Sequence, residues 1–325
     1  MTQTLAPGKW LGLRRTSTEA DVFTILAFDQ RGTYRRMLPP DMPFAQAAAI
    51  KSEVVSVLSR KSSAVLLDNE YGVAVSLHMA RHSGLLYAVE KSGYTGDGTA
   101  RMIDFLPDWN VAKIKQLGGS AVKLLAYYHP EAKTASEVEA TIRKIADDCH
   151  ANDIPLFLEP LSYALDQNMT PEAVAAERPQ VVIETARRLS KVGPDILKME
   201  FPYDAAHHND HGQWHDACKQ VSEACAVPWV LLSAGVKFET FSEQVRIACV
   251  SGASGFLAGR AIWKEAVTLG NTERATFLQQ TALPRLETLT DIANQHARPW
   301  TDFYAAEGDA PQEVGSSGEM KIAGV

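Results

Sequence analysis

Eight short apolar runs, each ending in polar residues, alternate with helical patterns along the chain. That alternation predicts an α/β fold, a closed (β/α)8 barrel of the TIM type. Two further observations agree. The 325 residues are 46% hydrophobic, enough for one large core. No GxGxxG follows the first run, which weighs against the rival architecture, an open doubly wound sheet that binds a dinucleotide. A single barrel domain is expected over residues 1–304. From 305 to 325 the composition turns to Gly, Ser and acidic residues without periodicity, so a disordered tail is expected there.

Residues 1–20 read as a lead-in without a strong pattern. The first run is Phe23–Phe28, ending in Asp29-Gln30-Arg31-Gly32, and a helix is expected over Ala45–Leu58. The second run, Ala64–Leu67, ends in Asp68-Asn69-Glu70, with a short helix from Val73 to Arg81. The third, Gly84–Val89, leads into a glycine-rich loop and a helix near Asn110–Leu117. The fourth, Ala121–Leu125, precedes a helix over Ser136–Ala151, where Ser136 with Glu139 three residues on suggests a capping box. The fifth, Ile154–Pro160, is followed by a long loop and a helix from Pro179 to Lys191. The sixth is Pro194–Pro202, followed by a histidine-bearing loop and a helix over Gln213–Cys225. The seventh, Pro228–Leu232, ends in Ser233-Ala234-Gly235, with a helix over Phe241–Ser251. The eighth, Ala253–Ala258, ends in Gly259-Arg260, and two helices close the pattern over Ala261–Leu269 and Thr272–Gln295.

The formal net charge is −7, so there is no basic footprint for nucleic acid or an anionic membrane. Four cysteines carry neither CxxC nor zinc spacing, which points to reduced thiols. No leader pattern opens the chain and no run approaches the ~20 apolar residues of a membrane span. A soluble, cytoplasmic protein is expected, with a small-molecule partner and, as an open possibility, self-assembly into a homo-oligomer.

The sixth run places Lys198 in the middle of an apolar strand. A buried ammonium is costly, and its usual escape is a lowered pKa. An amine freed in this way can attack a carbonyl and form a Schiff base. The plainer alternative is a lysine that snorkels to solvent. Strand parity groups Lys198 with Ile196 and Glu200, Lys123 with Ala121 and Leu125, and Glu159 with Phe157. It also groups Asp29 with Ala27, Asp68 and Glu70 with Leu66, and Arg260 with Phe256 and Ala258. If these faces point inward, they meet at the C-terminal mouth, where barrel active sites lie. Asp29, Asp68 and Glu70 could equally cap the helices that follow, and Lys123 could be a structural ion-pair partner. Ser233, Gly235, Gly259 and Arg260 end the seventh and eighth runs, where barrels bind phosphate, so an anionic substrate is expected. The competing account of those glycines is an ordinary left-handed turn. His207, His208, His211 and His215 form a histidine-rich loop, but it has no HExxH spacing, and no metal or other cofactor is assigned.

These residues carry a family resemblance. Leu26-Ala27-Phe28-Asp29-Gln30-Arg31-Gly32, Leu66-Leu67-Asp68-Asn69-Glu70-Tyr71-Gly72 and Glu90-Lys91-Ser92-Gly93-Tyr94 match it, as do Ala121–Leu125 and Phe157-Leu158-Glu159. So do Asp195–Glu200, Leu232–Val236 and Ala258–Ala261. From about residue 20 to 300 the chain resembles the class I tagatose 1,6-bisphosphate aldolases and the related sulfofructose-phosphate aldolases. The resemblance implies a metal-free barrel lyase. The family's Schiff-base lysine falls on Lys198, its proton-shuttling glutamate on Glu159 and its second active-site lysine on Lys123. Its Asp-Gln-Arg falls on Asp29, Gln30 and Arg31, and its anion-binding arginine on Arg260. Asn69 stands where the tagatose enzymes have proline, and 228–263 is more similar to the sulfosugar enzymes. The expected reaction is cleavage of a phosphorylated ketohexose to dihydroxyacetone phosphate and an aldehyde, with phosphate or sulfonate left open at carbon 6. More remote alternatives are a metal-dependent lyase or isomerase using Asp68, Glu70 and the histidine loop, and a non-catalytic sugar-phosphate sensor.

Overall fold

The computed structural model describes residues 3–308. Ten strands are present among them: β1 (Gln3–Leu5), β2 (Phe23–Phe28), β3 (Ala64–Leu67), β4 (Gly84–Ala88), β5 (Ala121–Tyr127), β6 (Leu156–Leu161), β7 (Ile196–Met199), β8 (Trp229–Leu232), β9 (Gly255–Ala258) and β10 (Tyr304–Ala306). Strands β2 to β9 are all parallel and pair in sequence order, and β9 returns to β2 to close the barrel. These strands read as continuous apolar runs because helices bury their outer faces while side chains fill the inside. The inner layers are Phe23, Ile25, Ala27, Ala64, Leu66, Leu86, Ala121, Phe157, Ile196, Val230 and Leu257. Phe23 and Phe157 meet edge to face there, with centroids 5.4 Å apart. Small and large side chains interleave, so the barrel is a packed core and not a pore.

For the apolar residues, parity holds in five of the six runs so grouped and fails for the eighth. Leu257 points inward, while Phe256 and Ala258 pack outward against the helices. The expectation for β9 counted back from Arg260. The chain turns at Gly259 (φ −117°, ψ −111°), so alternation does not carry across it.

The lower end of the barrel is closed by elements the sequence pattern left unread. Helix Pro7–Thr16 lies across it, with Leu13 fully buried. Asp153 accepts the Gly8 and Lys9 amide N–H groups at 2.8 and 3.0 Å and so caps that helix from a distance. Lys9 Nζ reaches both oxygens of Asp195 at 2.9 Å. The expected tail from 305 is corrected at its start: β10 pairs with β1, and the rest of that stretch, 309–325, lies outside the described residues.

Other boundaries shift for identifiable reasons. The helix expected from Pro179 begins at Pro171 and runs to Leu189, with Pro179 inside it. Thr170 accepts the Ala173 N–H at 3.3 Å, and Pro171 sits in the first turn, where a missing N–H costs nothing. Ser136 is not an N-cap: its helix spans Ala135–Ala151, preceded by Thr134. The short helix after β3 ends at Ser76, and an unforeseen helix occupies Gly32–Met37. Among the described residues no helix is long and apolar enough to cross a membrane.

Candidate active site

Strands β5, β6 and β7 bring Lys123, Glu159 and Lys198 to the inner surface just above the last apolar layer. Lys198 Nζ lies 2.8 Å from Glu159 Oε1, and Lys123 Nζ lies 2.8 Å from Glu159 Oε2. Glu159 thus bridges the two lysines. Lys123 Nζ also donates to Asp29 Oδ2 at 2.9 Å and to Glu90 Oε1 at 3.0 Å. Lys123 is fully buried and Lys198 is 3% exposed, so neither side chain runs out to solvent.

Burial works against charge on Lys123, but Asp29, Glu159 and Glu90 outweigh it and raise its pKa well above the ordinary lysine value. Lys123 is therefore a fixed ammonium. Burial likewise pushes the Asp29 carboxyl upward, yet Lys123 first, then Lys198 and Arg31, hold it below the usual carboxylate range. Asp29 is an anion throughout the physiological range. Its Oδ1 and the Oε1 of Gln30 are buried without a hydrogen-bond partner among the described residues. Such acceptors are costly to leave unmet, and both residues line the cavity.

The cavity has two adjoining lobes, of about 190 and 230 Å³. Gln30, Glu159, Leu161 and Arg260 border both. One lobe reaches Lys198, Ser233, Ala234 and Gly259; the other reaches Asp29, Arg31, Lys91, Lys123 and Tyr127. Arg260 and Gly235 belong to the same end. A Cβ on Gly235 would lie 3.0 Å from the Arg260 guanidinium carbon, and Gly235 has φ +82°. Ala234 before it is also left-handed, at φ 43°, a conformation a non-glycine residue adopts at a cost. The Gly259 N–H donates to Ser233 Oγ at 3.2 Å, tying the ends of β8 and β9 together.

Three candidates are used differently from the expectation. Arg31 borders one lobe but gives its terminal nitrogens to the scaffold: Nη1 donates to Asn69 Oδ1 at 2.8 Å and to the Glu90 carbonyl at 2.9 Å. Asp68 does not join the cavity. It is fully buried, accepts the Glu70 and Tyr71 N–H groups at 2.7 and 2.6 Å, and pairs with Lys51, itself held 3.1 Å from the Gln30 carbonyl. It caps the turn and, through Lys51, braces Gln30. Glu70 is exposed and borders neither lobe. Strand β3 ends at Leu67, so parity stops one residue before Asp68. The histidine loop stands apart as well: His211 stacks on Trp214 and lies 3.2 Å from Glu243.

Glu90 was missed as a site residue. It is 3% exposed, binds Lys123 and Arg31, and accepts the Leu125 N–H at 3.0 Å. The signal was present: Leu86, Ala88 and Glu90 share the inward parity of the third run.

A parallel eight-stranded barrel with two buried lysines bridged by a carboxylate at its C-terminal mouth defines a barrel enzyme of amine and acid–base chemistry. The chain belongs to the DeoC/LacD family of aldolases: residues 23–265 match the model described as DeoC/LacD family aldolase. It is therefore a lyase. It is 31% identical to tagatose 1,6-diphosphate aldolase 1 of Streptococcus mutans, over 92% of this chain and 99% of that protein. It is 32% identical to tagatose 1,6-diphosphate aldolase of Lactococcus lactis over the same shares. Among solved structures, fructose-bisphosphate aldolase of Plasmodium falciparum shares the fold with a TM-score of 0.68 at 14% identity, covering 91% of this chain and 98% of that one. An archaeal fructose 1,6-bisphosphate aldolase does so with a TM-score of 0.61 at 17% identity, covering 87% and 98%.

Proposed function

We propose that this aldolase is of the Schiff-base class and cleaves a ketohexose 1-phosphate that carries a second anion at carbon 6, such as tagatose 1,6-bisphosphate. The observation that carries the reading is the 2.8 Å contact between Lys198 Nζ and Glu159, inside the cavity and above a sealed core. The names of the curated relatives supply the substrate class.

A proton moves from Lys198 Nζ to Glu159 across their contact; the free amine then adds to the ketone at carbon 2, and its surplus proton passes to the new alkoxide to give the carbinolamine. Glu159 returns a proton to the carbinolamine hydroxyl, water leaves, and an iminium remains as the electron sink. Glu159, again a carboxylate, takes the proton of the carbon 4 hydroxyl. The bond between carbons 3 and 4 breaks, its electron pair enters the iminium, and the aldehyde departs. Glu159 hands that proton to carbon 3 of the enamine, and water adds at carbon 2 of the resulting iminium to free dihydroxyacetone phosphate and restore Lys198. Lys123, a fixed cation, stabilises negative charge developing on oxygen in this site. Asp29 and Gln30 offer acceptors to substrate hydroxyls. Ser233, Gly235, Gly259 and Arg260 form an anion site beyond β8 and β9 that this scheme gives to the carbon 1 phosphate, with the guanidinium as its charged donor.

Two sugar classes fit this scheme, one with phosphate and one with sulfonate at carbon 6; a side-by-side assay on tagatose 1,6-bisphosphate and 6-deoxy-6-sulfofructose 1-phosphate separates them. We place the enzyme in the cytoplasm, in keeping with four unpaired cysteines. The decisive test is borohydride reduction in the presence of dihydroxyacetone phosphate. A stable adduct on Lys198, absent in Lys198→Met, is expected; turnover retained by that variant would refute the scheme.

A further inference from the structure

The loop after β4 is a β-hairpin whose base, Lys91 to Gly93, lines the mouth. Thr95 and Met102 exchange backbone hydrogen bonds of 3.0 and 2.9 Å, and Lys91 N–H donates to Asp104 O at 2.8 Å. Near the hairpin tip, Arg101 is enclosed by three tyrosines from three segments. Its guanidinium carbon lies 4.5 Å from the Tyr94 ring centroid, 4.9 Å from Tyr127 and 4.7 Å from Tyr163. Tyr127 is at once a wall of the lobe that holds Lys123 and a face on which Arg101 rests. The Nε donates to Gly98 O at 3.0 Å, which fixes the plane of the fork. Among the described residues its two terminal nitrogens have no partner, and the buried Tyr163 hydroxyl has none either.

The charges around the mouth make this arrangement informative. Arg31 commits both terminal nitrogens to Asn69 and Glu90, Lys91 pairs with Asp104 at 2.7 Å, and Lys123 and Lys198 share Glu159. Arg260 stands with Gly235 beyond the ends of β8 and β9, across the closed barrel from β4 and β5, and borders both lobes. A substrate with an anion at each end has one of them served by Arg260. On the side of β4, β5 and β6, the arginine whose terminal donors remain uncommitted is Arg101. A guanidinium held by aromatic faces keeps its charge and loses little freedom when its free edge binds an oxyanion.

We infer that Arg101, held in the cage of Tyr94, Tyr127 and Tyr163, is the clamp for the tetrahedral oxyanion at carbon 6 of the substrate, with the Tyr163 hydroxyl as a second donor. The clamp rests on the Schiff-base reading above and deepens it by assigning the far end of the sugar. It acts on the leaving aldehyde half, so it governs choice between substrates and not the formation of the enamine.

The test is a ratio: kcat/KM for a ketohexose 1-phosphate with an anion at carbon 6, divided by kcat/KM for the same ketohexose 1-phosphate with a free hydroxyl there. Arg101→Met removes a charge-assisted contact and should lower this ratio by about 10- to 100-fold, chiefly through KM. Arg101→Lys should recover part of it. Tyr163→Phe keeps the ring under the guanidinium and should lower the ratio by a few-fold. An unchanged ratio, or equal loss on both substrates, would overturn the clamp and leave Arg101 as a brace for the hairpin. Phosphate and sulfonate at carbon 6 are run as separate arms, and the larger drop identifies the anion the clamp fits. Borohydride trapping of wild-type Lys198 with dihydroxyacetone phosphate, which lacks the carbon 6 end, checks the underlying reading independently. Trapping that succeeds beside an unmoved ratio defeats the clamp alone; trapping that fails defeats both.

Discussion

The two ends of the barrel each bury a lysine against carboxylate, and they do so in opposite ways. At the floor, Lys9 and Asp195 form a one-to-one pair, closed off by the Leu156 N–H on the carboxylate and by Tyr304, whose hydroxyl donates to the Asp195 carbonyl at 2.7 Å. At the mouth, Lys123 meets three carboxylates, Glu159 serves two lysines, and acceptors on Asp29 and Gln30 are left over. In the floor pair both carboxylate oxygens of Asp195 are met, and neither is left over for a ligand. The mouth is oversubscribed, and the surplus is what a substrate can use. Burial of a charge pair does not by itself mark a site; unmet partners beside a cavity do.

Substitutions can break this contrast. Lys198→Met should lower turnover by about 10⁴-fold or more, measured in a coupled assay for dihydroxyacetone phosphate, because the nucleophile is gone. Glu159→Gln should cost about 10²- to 10⁴-fold in kcat, as expected for loss of a proton shuttle. Lys9→Met should do the reverse: a loss of about 3–5 kcal/mol in denaturant unfolding, from stranding Asp195, with kcat/KM of the folded protein kept. If Lys9→Met instead removed activity at unchanged stability, the distinction between floor and mouth would collapse. Gly235→Ala should raise KM about 10-fold, since a Cβ there meets Arg260 and strains a left-handed residue.

The smallest effect is a pH slope. In the folded chain the Asp29 carboxyl titrates below its unfolded value near 4. Its pairing therefore stabilises the fold above that pH and is lost as pH falls through the lower folded value. The stability gap between wild type and Asp29→Asn, read from urea midpoints, should narrow as pH drops from 6 toward 3. A gap that widened would reverse the sign assigned to Asp29.

Strand periodicity made the barrel and its two lysines legible, because inward parity on β5, β6 and β7 is unbroken from the core to the mouth. It misled where a strand ends early. Asp68 kept the parity of Leu66 on paper, but its partner Lys51 lies on the helix Phe44–Leu58, and no local pattern pairs them. Glu90 was readable by the same rule that found Glu159, yet the reading stopped at the apolar run. Arg101 could not be read at all: its cage draws on residues 94, 127 and 163, brought together only by the closed barrel. The helix Pro7–Thr16 escaped because Gly8 and Gly12, where a Cβ would lie 2.5 Å from the Asp153 and Ser120 carbonyls, are present for close approach and give no amphipathic stripe.

The pairing of β1 with β10 joins residues 3–5 to 304–306, the widest sequence separation of any strand pair in the fold. During synthesis on a ribosome, the plug beneath the barrel has no partner strand until nearly all of the chain has emerged. Loop closure over such a span is slow, so the Asp195 carbonyl waits for Tyr304 after the eight barrel strands already exist. Protection of the floor amides against hydrogen exchange should therefore be the last to develop during refolding.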